Sequence, residues 1–432
     1  MNEFEKEHVK IAQEHTYFRI LRFNLLLLNA WPGREIGENI SKFWALISIG
    51  HVVLHTLLIT GGFMYMKSNS LDFFELVNVC LIQIMWIFVL FRLTLLYIFK
   101  YKEVFTMFLT KMHLVYYKDS SCYAMKMYKR VHLISYVFTI CIQVQAICIC
   151  IFFHAGPIMN NCLSGKYNQQ ISEDVPYEQI FHYSFPYDTT TTLPGYVFSF
   201  ILNSFESYLL TVWFCMMDLA ISLIIFNIWG HFKILLHELD SLQLPCQLLA
   251  DDLPVNSKNL NENVKFCSKM ELNDVSKKLK HCIDYHRQII EFTKHVSGAF
   301  GPMLFFYYIF YQVSLCLTMV ECSQMTLEAI IVYGPLVYMM FQQLIQVSVI
   351  FELIGTKSQE LKDAVYAIPW ENMDIENRKM VAIFLMNVQK PIYVKALGLA
   401  QIGVTTMARI VKTSFSYFMF LHTCSNNKLL RH

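Results

Sequence analysis

Charge is scarce in this sequence. Of its 432 residues, only 16% are Asp, Glu, Lys or Arg, while 55% are hydrophobic. Soluble domains carry about 25% charged and 45–50% apolar residues, so a water-soluble globular domain is a poor match. Several motifs are also missing. There is no Gly-rich phosphate loop, no Gly-x-Ser-x-Gly elbow and no His-Glu-x-x-His pair, which removes the usual footing for an enzyme. No basic, aromatic-interleaved surface supports nucleic-acid binding. No repeat relates two halves, which argues against a transporter. The first residues, MNEFEKEHVK, lack an apolar stretch behind a basic start, so the first spanning helix is expected to target the chain itself. A net charge of +2 implies no acidic partner.

What is present is long apolar runs. Spans are expected at about 43–66, 73–99, 131–153, 197–224, 296–319, 327–351 and 395–423. Each is long enough to cross roughly 30 Å of hydrocarbon at about 1.5 Å per residue. The expected fold class is all-α, a polytopic membrane protein with seven transmembrane helices in one domain covering 1–432. Of the thirteen cysteines, Cys80, Cys141, Cys148, Cys150, Cys215 and Cys316 lie in apolar runs, where cysteine acts as a small hydrophobe. Cys122, Cys246, Cys267 and Cys282 fall in loops assigned to the reducing side, leaving Cys162, Cys322 and Cys424 for an oxidising one. Spacing does not say whether two of these three pair.

Lysine and arginine set the orientation. The segment 1–42 holds six, the second loop seven, the fourth nine and the sixth five; the alternate segments hold four altogether. The rich side is expected in the cytosol, giving a cytoplasmic N-terminus and an extracellular C-terminus. A G-protein-coupled receptor has the opposite orientation, and neither an acidic-Arg-Tyr triplet nor an Asn-Pro-x-x-Tyr motif occurs. Within the fourth loop, 251–266 reads as a mobile linker. KKLKHCIDYHRQIIEF (277–292) has helical apolar spacing and runs into span five. Segment 373–390 is likewise helical, and Pro391 should separate it from span seven. Together 277–295 and 352–390 form an expected cytosolic anchor where subunits meet.

Five stretches carry a resemblance: WPG at 31–33, HCIDYHRQIIEF at 281–292, AVYAIPW at 364–370, NVQKPIYVKALGL at 387–399 and KTSFSYFMFLHT at 412–423. In this order, and with this topology, they resemble the insect odorant receptor family. Ser416-Tyr417 lacks the Gln-Phe expected downstream in a gustatory receptor, and the chain looks like the variable, odour-tuned subunit rather than the co-receptor. The resemblance implies a heterotetrameric, odorant-gated, non-selective cation channel with a co-receptor subunit, in the plasma membrane of a sensory dendrite. Its partners would be volatile hydrophobic odorants, permeant cations and membrane lipids, with no cofactor, metal or enzymatic activity. It also implies a pore lined by the last helix and an odorant pocket in the outer half, between helices two, three, four and six.

Carried onto this chain, the narrow outer pore positions fall on Phe420, Thr423 and Cys424. Ser416, Thr413 and Arg409 share the face of Phe420 at helical periodicity. Small hydroxyls suit hydrated ions and a bulky apolar ring suits a dewetting gate, while Arg409 would repel permeant cations unless it lay in a wide vestibule or turned away. For the pocket, outer-half residues of suitable type are Leu81 and Met85, Gln143 and Ile147, Ser204 and Tyr208, and Tyr338, Phe341 and Gln342. Plain helix packing is the competing explanation for each. Arg92 and Asp218 lie at similar depth and would relieve each other as an ion pair, unless Arg92 snorkels to the interface. His51 and His55 share a face, as do His281, Cys282 and His286; packing is favoured over zinc at both. Glu206 and Glu321 read as solvated carboxylates near the outer face, able to attract amines.

Overall fold

The computed structural model describes residues 3–98, 100–167, 176–184, 189–242, 269–323, 327–398 and 400–429. The linker expected at 251–266, with Cys246 and Cys267, lies outside the described residues, as does the side chain of Cys424. Helices account for nearly everything: α1 (Glu3–Gln13), α2 (Thr16–Leu27), α3 (Lys42–Ser68), α4 (Phe73–Ile98), α5 (Tyr101–Met107), α6 (Cys122–Leu163), α7 (Leu193–Ser241), α8 (Lys269–Cys322), α9 (Leu327–Tyr366), α10 (Ile375–Val388) and α11 (Val404–Leu429). Six of them, α3, α4 and α6 to α9, are long and apolar enough to cross a membrane. The last, α11, carries Arg409 and Lys412 and is more polar, the composition of a helix with one watery face.

Burial follows the expected inversion for a bilayer. α7 is enclosed nearly all round, and its side chains from Leu209 to Ile228 are almost continuously apolar. Such a helix has no polar face and must sit at the centre of the bundle. By contrast, α3 and α6 turn leucine, isoleucine and valine outward, among them Leu46, Val53, Leu57, Leu133, Val144 and Ile151. These side chains have no water to avoid if the bundle is surrounded by lipid tails.

Four helices, α6 to α9, are longer than a bilayer is thick, and their extra turns meet at one end. α7 has 49 residues, about 73 Å at 1.5 Å per residue, more than twice the hydrocarbon thickness. α8 runs unbroken through the 277–292 stretch into its span, as its apolar spacing suggested. At this basic end α1 and α2 dock on α5 and the turns after it: Tyr17, Phe18, Leu21 and Leu25 are buried, and Phe18 meets Phe108 and His113. Trp31 of the WPG stretch is buried against Phe105 and donates to Glu38, which also pairs with Arg22 at 3.0 Å. The described parts of the four segments rich in lysine and arginine thus gather at one end of the molecule.

One expected boundary moves. Span seven was placed at 395–423, but its helix begins at Val404, because 395–401 form a small antiparallel hairpin. Pro391 stops the preceding segment, and Leu397 and Gly398 adopt positive φ (51° and 72°) that a helix cannot use. The hairpin lies directly on α8 at Gly301, where a Cβ would stand 2.6 Å from the Lys395 carbonyl oxygen. All ten described cysteines are free thiols.

Candidate functional site

Between α4, α6, α7, α8 and α9 the bundle leaves a connected hollow. One lobe, a cavity of about 50 Å³, is walled by Met85, Trp86, Ile149, Phe153, Leu210 and Leu336 and roofed by Phe181. A second, of about 60 Å³, shares Met85, Ile149, Leu210, Thr211 and Leu336 and continues to Phe214, Phe310, Tyr311 and Gln343. A third lobe opens on the flank of the bundle between α6 and α9, along Phe152, Pro335, Tyr338 and Gln342. The lobes are narrow, smaller than the usual small-molecule site, but the lining has the matching character: apolar and aromatic walls with few polar groups.

The roof is built by a loop. Phe181 comes from the segment between α6 and α7, is 3% exposed, and meets Trp86 and Phe153. Asn161, at the end of α6, fixes that loop by accepting from the Glu178 N–H at 2.9 Å and donating to the Glu178 carbonyl at 3.0 Å. Ser184 N–H donates to the Gly61 carbonyl of α3. The floor is polar. The Tyr311 hydroxyl donates to Gln343 Oε1 at 2.6 Å, and Gln343 Nε2 donates to the Cys215 sulfur at 3.2 Å.

Two charged clusters adjoin the hollow. Below the floor, Arg92 and Asp218 form an ion pair at 2.5 Å, both almost wholly buried. Arg92 also donates to the Phe214 carbonyl at 3.1 Å, and its guanidinium lies 5.3 Å from the Phe214 ring and 5.6 Å from Tyr307. Pairing, a carbonyl acceptor and aromatic faces together make a buried guanidinium tolerable, so Arg92 does not snorkel. Behind Trp86, Glu206 is fully buried, with His55 Nδ1 3.0 Å and His51 Nδ1 3.8 Å away. The expectation of a solvated Glu206 therefore fails: α7 turns Glu206 into the bundle while Ile201 and Phe205 face outward, and the two histidines supply the partners. Glu321 is buried as well. No cluster able to hold a metal occurs among the described residues.

Of the nine residues expected in the pocket, Met85, Tyr338 and Gln342 line the hollow. Ile147 faces outward, 51% exposed, while Ile149 takes the inward place on α6. Leu81 is buried but does not line the hollow. Gln143 donates to the Met216 sulfur, and the Ser204 hydroxyl to the Phe200 carbonyl; Tyr208 and Phe341 are half-buried elsewhere. The fifth span, absent from the expectation, contributes Phe310 and Tyr311.

On α11, Ile410 and Ser414 are buried against the bundle, whereas Arg409, Ser416, Phe420 and Thr423 share an exposed face and Thr413 is half-exposed beside them. Thr413, Ser416 and Thr423 each donate their hydroxyl proton to the carbonyl four residues earlier. Their oxygen lone pairs remain outward.

The family model described as 7tm Odorant receptor matches residues 72–415. This chain belongs to the insect odorant receptor family. Odorant receptor Or2 of Anopheles gambiae is 22% identical over 149 residues, 34% of this receptor and 39% of that one. Putative odorant receptor 92a of Drosophila melanogaster is 20% identical over 248 residues, 56% of this receptor and 54% of that one. The matches thus span about half or less of those relatives' length. The insect olfactory receptor OR5 from Machilis hrabei, in complex with eugenol, superposes with a TM-score of 0.71 at 12% identity, over 94% of this receptor and 97% of that chain. A second structure of OR5 gives 0.72 at 12% identity, over 96% and 99%. The receptor therefore has an all-α, multi-span membrane fold, and its family is one of receptors rather than enzymes.

Proposed function

We propose that this receptor is the odour-tuned subunit of a heteromeric, odorant-gated, non-selective cation channel, assembled with a co-receptor subunit in the plasma membrane of olfactory neuron dendrites. The observation that carries the reading is the hollow itself. It lies among five helices and is lined by methionine and aromatic side chains, an apolar chamber whose adaptable walls suit small volatile molecules. Volatile ligands have few polar groups, so shape and dispersion must supply most of their affinity. OR5, a receptor of this fold, is described in complex with eugenol.

The last helix supports the channel half. Four copies of α11 around an axis would place the hydroxyl stripe of Thr413, Ser416 and Thr423 toward water, with Phe420 as an apolar ring. With their protons committed to backbone carbonyls, those hydroxyls would offer oxygen to a passing cation. Arg409, on the same face, would stand at the wide inner mouth. The overrunning ends of α7, α8 and α9, with α10, would form the cytosolic anchor between subunits.

The test is whole-cell current in cells expressing the chain with and without an insect co-receptor, under volatile odorants and with G-protein signalling blocked. A fast cation current that needs the co-receptor and survives the block is expected. A second-messenger response abolished by the block would replace this reading with that of a G-protein-coupled chemoreceptor.

A further inference from the structure

The floor of the hollow holds one poorly satisfied donor. Gln343 is 5% exposed and lines the second lobe. Its amide oxygen is taken by the Tyr311 hydroxyl. Its amide nitrogen, with two N–H groups, finds only the Cys215 sulfur among the described residues. Sulfur is a weak acceptor, and a buried amide without a good one bears a desolvation cost. Neither nearby hydroxyl is its acceptor: Thr211, which donates to the Ser207 carbonyl at 2.8 Å, takes the Cys150 thiol at 3.6 Å, and Tyr311 donates to the Gln343 oxygen. In a chamber walled by Met85, Phe214, Phe310 and Leu336, the Gln343 amide is the hydrogen-bond donor still in want of oxygen.

We infer that Gln343 is the specificity-determining donor of the second lobe, and that it selects odorants carrying one acceptor oxygen (ketones, aldehydes, esters or ethers) over hydrocarbons of the same shape. The inference rests on the odorant-binding reading above and adds a ligand class to it. Such an oxygen would replace the thiol as acceptor while the rest of the molecule lay against the apolar walls, displacing the adaptable Met85, Met339 and Met340 side chains. A ligand with no acceptor would leave the amide on sulfur and gain only dispersion.

Acetophenone and ethylbenzene form a matched pair, differing chiefly in a carbonyl. Their binding to the purified full chain in lipid nanodiscs can be followed by tryptophan fluorescence, since Trp86 lines the first lobe. Wild type should bind acetophenone about tenfold more tightly, the step carried by one net hydrogen bond. Gln343→Met keeps volume and removes the donor, so the ratio should fall to near one with ethylbenzene affinity unchanged. Cys215→Ser provides a true oxygen acceptor inside the protein, so it should also lower the ratio although the donor remains. Cys215→Ala should preserve or raise it.

If Gln343→Met does not fold, the opposed Cys215 pair still decides. Equal binding of the two probes by wild type, a ratio indifferent to Cys215→Ser, or failure of acetophenone to bind would overturn the inference. Because binding is read without current, selective binding by a silent chain would overturn only the channel reading. Odorant-gated current with no preference between the probes would overturn only this one.

Discussion

Ser414 of α11 donates its hydroxyl to the backbone carbonyl of Gln312 on α8 at 3.1 Å. Gln312 is the chain neighbour of Tyr311, which stands in the wall of the hollow. The hydroxyls of Thr413, Ser416 and Thr423 return to their own helix; this one crosses to another. One residue of α8 thus separates the candidate ligand from the candidate pore helix.

Ser414→Ala should weaken that link without touching the hollow. A buried neutral hydrogen bond contributes about 1 kcal/mol, so the odorant concentration for half-maximal current should shift by roughly fivefold. Binding of the same odorant to purified receptor should stay within error of wild type. An equal shift in both measurements would mean that Ser414 supports the fold rather than the coupling.

The Arg92–Asp218 pair predicts a pattern of stability. Removing one partner from a buried pair leaves an uncompensated charge and costs about 3–5 kcal/mol. Arg92→Met and Asp218→Leu should each sharply lower the melting temperature and yield of detergent-purified protein. The double variant should recover much of that loss, because apolar groups of similar volume often replace such a pair neutrally. Additive losses in the double variant would contradict a direct pairing.

Pore and pocket should separate by phenotype. Phe420→Ala should change ion flow through open channels while preserving the rank order of odorants, and Arg409→Gln should raise unitary conductance. Met85→Ala, at the junction of two lobes, should reorder odorants without changing conductance; Tyr338→Ala should do so more weakly, because Tyr338 borders only the flank lobe and is 69% exposed. Single-channel recording with an odorant panel reads both. Variants that altered only surface expression would remove the assignments.

Acid should loosen the basic end. His113 Nδ1 accepts from the Val115 N–H, which leaves its proton on Nε2 to donate to the Tyr17 oxygen at 3.0 Å. Burial holds the imidazole well below its ordinary value of 6.5, with nearby His15, His231 and His132 adding to the shift, and His15 itself is lowered to about 4 by burial. The folded state therefore binds fewer protons than the unfolded one. Stability from these groups is full above about pH 6.5 and is lost progressively as pH falls below it, with the His15 share lost down to about pH 4. The melting temperature should drop between pH 7 and pH 5, and His113→Gln should shrink that drop. An identical pH response in the variant would exclude His113 as a source.

The parts of the fold visible from the residues are those where one physical rule dominates. Long apolar runs marked six of the spans, and Pro391 marked the break before the last. Arg92 and Asp218 could be matched because two opposite charges at one depth of a low-dielectric layer have few alternatives. The pocket was harder. Inside a bilayer bundle both faces of a helix are apolar, so periodicity does not tell the lipid side from the ligand side: Ile147 and Ile149 are the same residue type, and only the second faces in. Phe181 sits in a loop without a repeating pattern, and nothing local brings it over Trp86. Glu206 looked solvated because its partners, His51 and His55, lie some 150 residues away on another helix.

The third lobe, bordered on the flank by Phe152 and Tyr338, has a consequence for dose. Both residues are more than half exposed on the side of the bundle that lipid would cover. For an odorant that enters there, the bilayer is an antechamber, and the relevant supply is what has dissolved in oil rather than what remains in water. Two compounds that fit the chamber equally well would then differ in potency by their oil–water partition ratio. A comparison corrected for partitioning would rank them by fit alone.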